Sequence, residues 1–231
     1  MFLNSSITGF LKRQGADFVY VTSVSHLPEK QGQGFPYAIL FGVVLSRDYL
    51  QKVSTDSNYI EELKKENRLE KDEFHGAEIK TDEMADALAS YLRERGYLAF
   101  SQSEKNLMAT GLYHEKTKST PLPHKTIACM AGLGWIGKHN LLVTDFAGSA
   151  ISMCSLLTDA PLETTTVKAA GPECGSCRVC REVCPVQAIK GKSWRPGIHR
   201  DELIDVYHCT TCLKCLVHCP WTQKYMKGFI V

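Results

Sequence analysis

The sequence has no long hydrophobic run. Nothing in its 231 residues approaches the roughly 18 consecutive apolar positions that a membrane span needs. The segment from Met1 to Thr22 lacks the basic start, apolar core and small-residue cleavage site of a secretory leader, so a cytoplasmic protein without a membrane partner is expected. There is no low-complexity tract, and 44% hydrophobic with 23% charged residues excludes disorder as the main state. Net charge is also scarce: 27 Lys and Arg face 25 Asp and Glu. What the chain has in excess is cysteine, ten in all, with eight of them crowded between Cys174 and Cys219.

The small net charge hides a division. Residues 56–86 carry 11 acids against five bases, whereas residues 170–231 carry nine bases against five acids. A basic tail on its own would suggest nucleic acid. Here the cysteines supply another explanation, because a four-iron cluster with four thiolate ligands brings about two negative charges that a basic surrounding offsets.

Residues 1–168 read as a mixed α/β domain and residues 169–231 as a second domain, with a Thr-, Pro- and Ala-rich linker between Thr158 and Pro172. A short helix capped by Ser5 or Ser6 runs through Phe10 and Leu11 to Gly15, and Phe18 to Val24 alternates as a strand does. The run from Ala38 to Leu45 is nearly all apolar and fits a strand buried on both faces. Tyr59 to Glu73 is so charged that a solvated helix or mobile excursion is expected. Met84, Ala87, Leu88, Tyr91 and Leu92 mark one face of a helix that Thr81 or Asp82 caps and Gly96 ends. Further strands are expected at Tyr97–Phe100, 140–144 and 150–157.

Cys174, Cys177, Cys180 and Cys184 followed by Pro185 form a C-x2-C-x2-C-x3-C-P run, which Cys209, Cys212, Cys215, Cys219 and Pro220 repeat 35 residues later. Three thiolates at i, i+3 and i+6 can wrap three corners of a cubane, while the fourth leads into a helix and points at the other cluster. Cross-ligation follows, with Cys174, Cys177, Cys180 and Cys219 on one 4Fe-4S cluster and Cys184, Cys209, Cys212 and Cys215 on the other. Disulfides would need an oxidising compartment, and zinc sites need only two C-x-x-C pairs. Cys129 and Cys154 lie in apolar surroundings and read as buried structural thiols. Two clusters imply electron transfer, fed by an electron-donor protein of ferredoxin or flavodoxin type.

Gly132, Gly134, Trp135, Gly137 and Lys138 belong to a segment, GLGWIGK, that matches G-x-G-x-x-G and nearly matches a P-loop. Nucleotide motifs follow a strand and open a helix; here a helix-like stretch, Pro123 to Ala131, precedes and a strand follows, and His139 stands where Mg²⁺ binding would want Ser or Thr. Two readings stay open. The glycines allow close backbone approach to a flat cofactor or to the cysteine domain, with Lys138 donating to an anionic group, or they make a tight helix-to-strand turn with Trp135 as a core plug.

Ala131 to His139, Leu141-Leu142, Gly148-Ser149, Leu157 to Leu162 and the cysteine doublet ending Cys219-Pro220-Trp221 together resemble the epoxyqueuosine reductase family over residues 120–222. The resemblance implies a flavin-reductase- or cobalamin-processing-like domain followed by a two-cluster bacterial-ferredoxin-like domain. It implies electrons passing from two 4Fe-4S clusters to a corrinoid, with FMN as the alternative cofactor, held near Gly132, Gly134, Trp135, Gly137 and Lys138. Where the family has an acidic proton donor this chain has Lys118, and His124 precedes Lys125 where the family has a glutamate; Lys118 and His124 are thus the candidates to orient or protonate a substrate. Glu73-Phe74-His75 is the nearest match to the family's Asp-Tyr-His signature, and 12 residues follow Cys219. The expected substrate is therefore a small molecule or a corrinoid in preference to tRNA. The alternative is a ferredoxin-type carrier or reductive activator of a separate corrinoid protein, with no substrate of its own.

Overall fold

The computed structural model describes residues 2–165 and 173–228. Packing divides the chain into two units, neither contiguous: Met1–Val43 with Ala77–Gly132 and Ser152–Lys168, and Val44–Gly76 with Leu133–Ile151 and Ala169–Val231. The boundary at 168/169 expected from composition lies outside the described residues. Two segments N-terminal to it, 44–76 and 133–151, fold with the cysteine-rich part.

The first unit is built on a four-stranded sheet of β1 (Phe18–Ser23), β2 (Tyr37–Val44), β3 (Ala99–Ser101) and β6 (Ile151–Thr158), in the order β1-β2-β6-β3. β1 and β2 pair antiparallel from Phe18↔Gly42 to Ser23↔Tyr37, and β3 and β6 from Ala99↔Thr158 to Ser101↔Leu156. Ile39, Leu40 and Phe41 are wholly buried, as a strand covered on both faces requires. The helices of this unit are α1 (Phe2–Arg13), α2 (Glu29–Gly32), α5 (Glu73–Arg93), α6 (Glu104–Ala109) and α7 (His124–Met130). Ile7 and Leu11 of α1 and Met84, Ala85, Leu88 and Leu92 of α5 are buried, the latter at the helical spacing legible in the sequence.

α5 is longer than its apolar stripe. Asp72 precedes it, and its carboxylate accepts from the His75 amide at 2.9 Å, so the helix starts two turns before Thr81.

The second unit comprises α3 (Arg47–Thr55), α4 (Tyr59–Lys65), a hairpin of β4 (Trp135–Ile136) and β5 (Leu142–Val143), and the short helices α8 (Val179–Glu182), α9 (Lys214–Val217) and α10 (Pro220–Met226). α3 packs on α9 and α10, and α8 on α9. Of the two forms expected for the charged stretch 59–73, the solvated helix is the one seen: α4 leaves Glu62, Lys64 and Lys65 exposed. Ile60 and Leu63, one helical turn apart, are buried, and the segment is pinned at its C-terminal end. Ser46 caps α3 by accepting from the Tyr49 amide, and the Glu73 carboxylate accepts from both the amide and the hydroxyl of Ser46. Tyr49 donates its hydroxyl to the buried Asp72 at 2.8 Å; burial foremost, then the hydrogen bond to Asp72, raises the phenol's pKa.

Candidate functional site

The cysteines sit on short helical turns joined by tight loops. In the first run the Cys177 amide donates to the Cys174 carbonyl at 2.9 Å, Cys180 lies in α8, and Cys184 follows that helix and accepts at its sulfur from the Ala188 amide at 3.3 Å. In the second run Cys215 lies in α9, and Cys219 is the cap residue of α10, whose first helical position is Pro220. Thr211 and Leu213 hold left-handed backbone with φ of 52° and 59°, a conformation that costs a non-glycine residue about 1–2 kcal/mol. That cost persists where the surrounding structure fixes the loop. The interior of this part is partly made of the thiols themselves: Cys180 clusters with Ala188, Ile189 and Ile204, and Cys184, Cys209 and Cys215 pack against it.

Mutual electrostatics sort the thiols. The Cys180 thiol is pushed up to about 11, first by burial and then by Cys174, Cys219 and Cys177 in turn. Cys219 is raised, again first by burial, with Cys174 and Cys177 adding to it against hydrogen bonds from the Trp221 and Thr222 amides. Cys215 is raised by burial, then by Cys212 and Cys209, and further by Cys180 and Cys184. Cys219 thus acts on the run 35 residues before it, and both Cys180 and Cys184 on the run after it. Among the described residues no three His, Cys, Asp or Glu side chains stand as close as ligands of one bound ion do. The donor set nonetheless fits iron–sulfur ligation. It is all soft sulfur, partly buried, with an amide donating to sulfur at Cys184.

The glycine segment is used inside the second unit. Gly132 follows α7 with φ of 73°, and the chain then enters the β4–β5 hairpin, where Trp135 pairs with Val143 and Ile136 with Leu142. A Cβ at Gly134 would lie 2.0 Å from the Val143 carbonyl oxygen, so only glycine lets the strands meet. The Gly137 amide donates to the Leu141 carbonyl at 2.8 Å to close the turn. Trp135 is 2% exposed and meets Trp221 edge to face, with centroids 4.9 Å apart. Lys138 is buried and donates to two carbonyls of the first cysteine loop, those of Gly175 at 2.7 Å and Cys177 at 2.9 Å. Of the two readings of this segment, the turn with Trp135 as a plug and the approach to the cysteine domain describe what is seen. The Trp135 indole N–H is buried without an acceptor among the described residues.

Lys118 and His124 have different surroundings. Lys118 is exposed in a turn closed by the His114–Ser119 bridge, with φ of 46°. His124 opens α7, and its Nδ1 lies 2.8 Å from Ser155 Oγ. Ser155 donates to Gln102 Oε1 at 2.7 Å, and Gln102 Nε2 donates to the Leu122 carbonyl at 3.0 Å. With the Ser155 proton committed to Gln102, His124 carries its proton on Nδ1 and donates to Ser155. Burial pushes its pKa down to about 4, so the imidazole is neutral near pH 7 and its Nδ1 proton serves the fold.

A second polar cluster in the first unit had no signal in the sequence. Asp86 Oδ1 accepts from Ser101 and Ser103 at 2.6 and 2.7 Å, and beside it a cavity of about 260 Å³ is lined by Ser90, Arg93, Lys105 and Asn106. Burial raises Asp82, which interacts with the Cys154 thiol; that thiol is itself raised, first by burial and then by the Asp82 charge, and is the inert buried thiol expected.

No family model matches the chain. The epoxyqueuosine reductase of Yersinia pestis is 39% identical over 71 residues, which cover 31% of this chain and 17% of that enzyme. That of Escherichia coli strain K12 is 41% identical over 71 residues, 31% of this chain and 18% of its own. The chain is similar to epoxyqueuosine reductases. The match spans about a fifth of the length of these curated relatives. Likeness in fold extends further. A structure of epoxyqueuosine reductase with an epoxyqueuosine-modified tRNA-Tyr stem loop superposes at a TM-score of 0.56 with 14% identity, covering 96% of this chain and 65% of that one. A reductive dehalogenase described by B12-dependent dehalogenation superposes at 0.66 with 19% identity, covering 97% of this chain and 33% of that one. The mixed α/β fold is thus shared with both enzymes. Among the described residues no helix is long and apolar enough to cross a membrane.

Proposed function

We propose that the chain is an iron–sulfur reductase related to epoxyqueuosine reductase, with two 4Fe-4S clusters on Cys174, Cys177, Cys180 and Cys219 and on Cys184, Cys209, Cys212 and Cys215. The observation that carries this reading is the doubled run of four cysteines with its trailing proline, whose members from both runs, Cys180 and Cys184 with Cys209 and Cys215, pack about one small apolar cluster. Disulfide or two-pair zinc chemistry gives no reason for two such runs of four brought together. When bound, the clusters supply one-electron transfer. The chain's own residues hold the loops: Lys138 fixes the carbonyls of the first, Lys64 donates to the Thr210 carbonyl in the second, and the Ala188 amide donates to Cys184. The Cys180–Ala188–Ile189–Ile204 cluster keeps water from one side of them. The donor is a ferredoxin- or flavodoxin-type protein, and the acceptor is a corrinoid, by analogy with the B12-dependent dehalogenase that shares the fold.

Anaerobic reconstitution tests the reading. About eight iron and eight acid-labile sulfide per chain are expected. Stoichiometric zinc, or thiols paired as disulfides with neither iron nor sulfide, would overturn it. Titration of the reconstituted protein with cobalamin and, separately, FMN then identifies the acceptor by a saturable spectral change.

The placement of Lys118 and His124 favours a second reading. Lys118 stands exposed on a turn, and His124 is kept neutral by burial with its Nδ1 proton given to Ser155, an arrangement that suits a carrier or reductive activator without a substrate of its own. Failure to bind either cofactor, with rapid reduction of a separate corrinoid protein, would select it.

A further inference from the structure

The two cysteine loops are held by lysines in unlike settings. Lys64 is exposed and donates to the Thr210 carbonyl of the second loop. Lys138 is 9% exposed and donates to the Gly175 and Cys177 carbonyls of the first. No carboxylate pairs with Lys138 among the described residues. An ammonium withdrawn from water is costly unless an anion balances it, and two neutral carbonyls offset only part of that cost. Lys138 also borders a cavity of about 370 Å³ together with Cys177 and Cys180. The balancing charge therefore belongs to the first thiolate set, whose assignment to a cluster is the reading proposed above.

We propose that Lys138 is a positioning and charge-balancing residue that raises the reduction potential of the first cluster above that of the second. The physical ground is an asymmetry of solvation. Reduction adds one negative charge to a cluster, and a nearby positive charge favours the reduced form more strongly when it is buried than when water screens it. The exposed Lys64 gives the second cluster less of this benefit. Electrons entering the pair come to rest on the first cluster, so the direction of transfer is set by one buried lysine on a hairpin far from the cysteines in sequence.

The test is an anaerobic redox titration followed by EPR, with dithionite supplying the electrons, on reconstituted wild type, Lys138→Gln, Lys138→Met and Lys64→Met. Cys174→Ser and Cys212→Ser identify which wave belongs to which cluster. Wild type should show two waves. In Lys138→Gln and Lys138→Met the first cluster should become at least tenfold harder to reduce, about 59 mV for one electron, with the second unmoved. Lys64→Met should leave the first wave in place. If a Lys138 variant loses iron, the loss should fall on the first cluster alone, as a broken clamp on that loop requires. Unmoved waves in both Lys138 variants, an equal shift of both waves, or iron lost equally from both clusters would overturn the proposal. A wild type with no cluster at all would instead sink the assignment of the clusters, which is a separate failure.

Discussion

Gly148→Ala tests whether the segment 133–151 is part of the frame that holds Cys219. Gly148 has φ of +59°, and a Cβ there would lie 2.3 Å from the Thr222 amide nitrogen and 2.6 Å from the Thr222 Cα. Both are backbone atoms, so no side-chain rotation relieves the contact. The Ser149 amide, next in sequence, donates to Thr222 Oγ1 at 3.0 Å, and Thr222 is wholly buried. α10 must therefore move away as a body, and Cys219 is the residue that caps it. The left-handed backbone costs alanine about 1–2 kcal/mol, and overpacking against a fixed neighbour about 1–3 kcal/mol more, for a sum of about 2–5 kcal/mol. Gly197 is the matched control: φ is +89° in the same unit, with nothing within 4 Å, so Gly197→Ala should lose only the backbone part, about 1–2 kcal/mol. Anaerobic urea unfolding of the reconstituted proteins, read by circular dichroism, compares the two. Gly148→Ala should unfold at clearly lower denaturant, and its iron content should fall by the share of one cluster. Equal midpoints for the two variants, with full iron in both, would refute the claim that this contact fixes α10 and through it Cys219.

Cys184→Ser should impair the cluster built on Cys209, Cys212 and Cys215, and Cys219→Ser the one built on Cys174, Cys177 and Cys180; EPR of the remaining cluster shows which has gone, and loss within the mutated run itself would contradict the crossed grouping. Tyr49→Phe leaves the buried Asp72 carboxylate short of a donor and should destabilise the protein by about 1–3 kcal/mol in chemical unfolding, with no change expected if the Asp72 contact is incidental. His124 has its pKa lowered from 6.5 to about 4, so the unfolded chain takes up a proton first as pH falls. Stability should drop from pH 6.5 towards pH 4 by up to about 3 kcal/mol, a drop that His124→Asn should lack when both are followed by thermal unfolding across that range.

Legibility in the sequence followed the physical strength of each signal. The run Ala38–Leu45 and the stripe Met84–Leu92 are governed by burial alone, and they appear as β2 and the core face of α5 within a residue or two. The N-terminal helix reaches back to Phe2, so Ser5 and Ser6 lie inside it and do not cap it. The charged stretch after Tyr59 forms the solvated helix its composition allowed, but what seats it was not visible: Ile60 and Leu63 are buried, and Ser46, Tyr49, Asp72 and Glu73 fasten its surroundings. Those fastenings are hydrogen bonds across more than twenty residues of chain, for which no local spacing gives a sign. The glycine motif shows the converse. Its spacing matches a nucleotide motif that the order of helix and strand argues against, and the partners of its residues lie outside it: Gly134 is required by the strand facing it, Gly137 by His139 and Val143, and Lys138 meets the carbonyls of a loop that begins at Cys174.

The cysteine-rich tail explains why the second unit recruits pieces from elsewhere in the chain. Between Cys174 and Cys219 the buried apolar residues besides cysteine are Ala188, Ile189, Leu203, Ile204, Leu213, Leu216 and Val217, too little to stabilise some sixty residues against their conformational entropy. The helices that carry Cys180 and Cys215 are four residues each, shorter than a helix that persists alone. Their partners come from before the linker: α3 packs on α9 and α10, Tyr225 donates to the Leu45 carbonyl at 3.1 Å, Arg47 lies over the Tyr225 ring, and Trp135 meets Trp221. Each of these contacts bears on a residue within a few positions of a cysteine of the second run, while Lys138 holds the first. Residues 169–231 expressed alone should therefore be less ordered than the same residues in the full chain, with weaker protection of their amides from hydrogen exchange even after reconstitution with iron and sulfide. Equal protection in the isolated tail would mean that its cysteines, with their metal, fold without the frame that segments 44–76 and 133–151 provide.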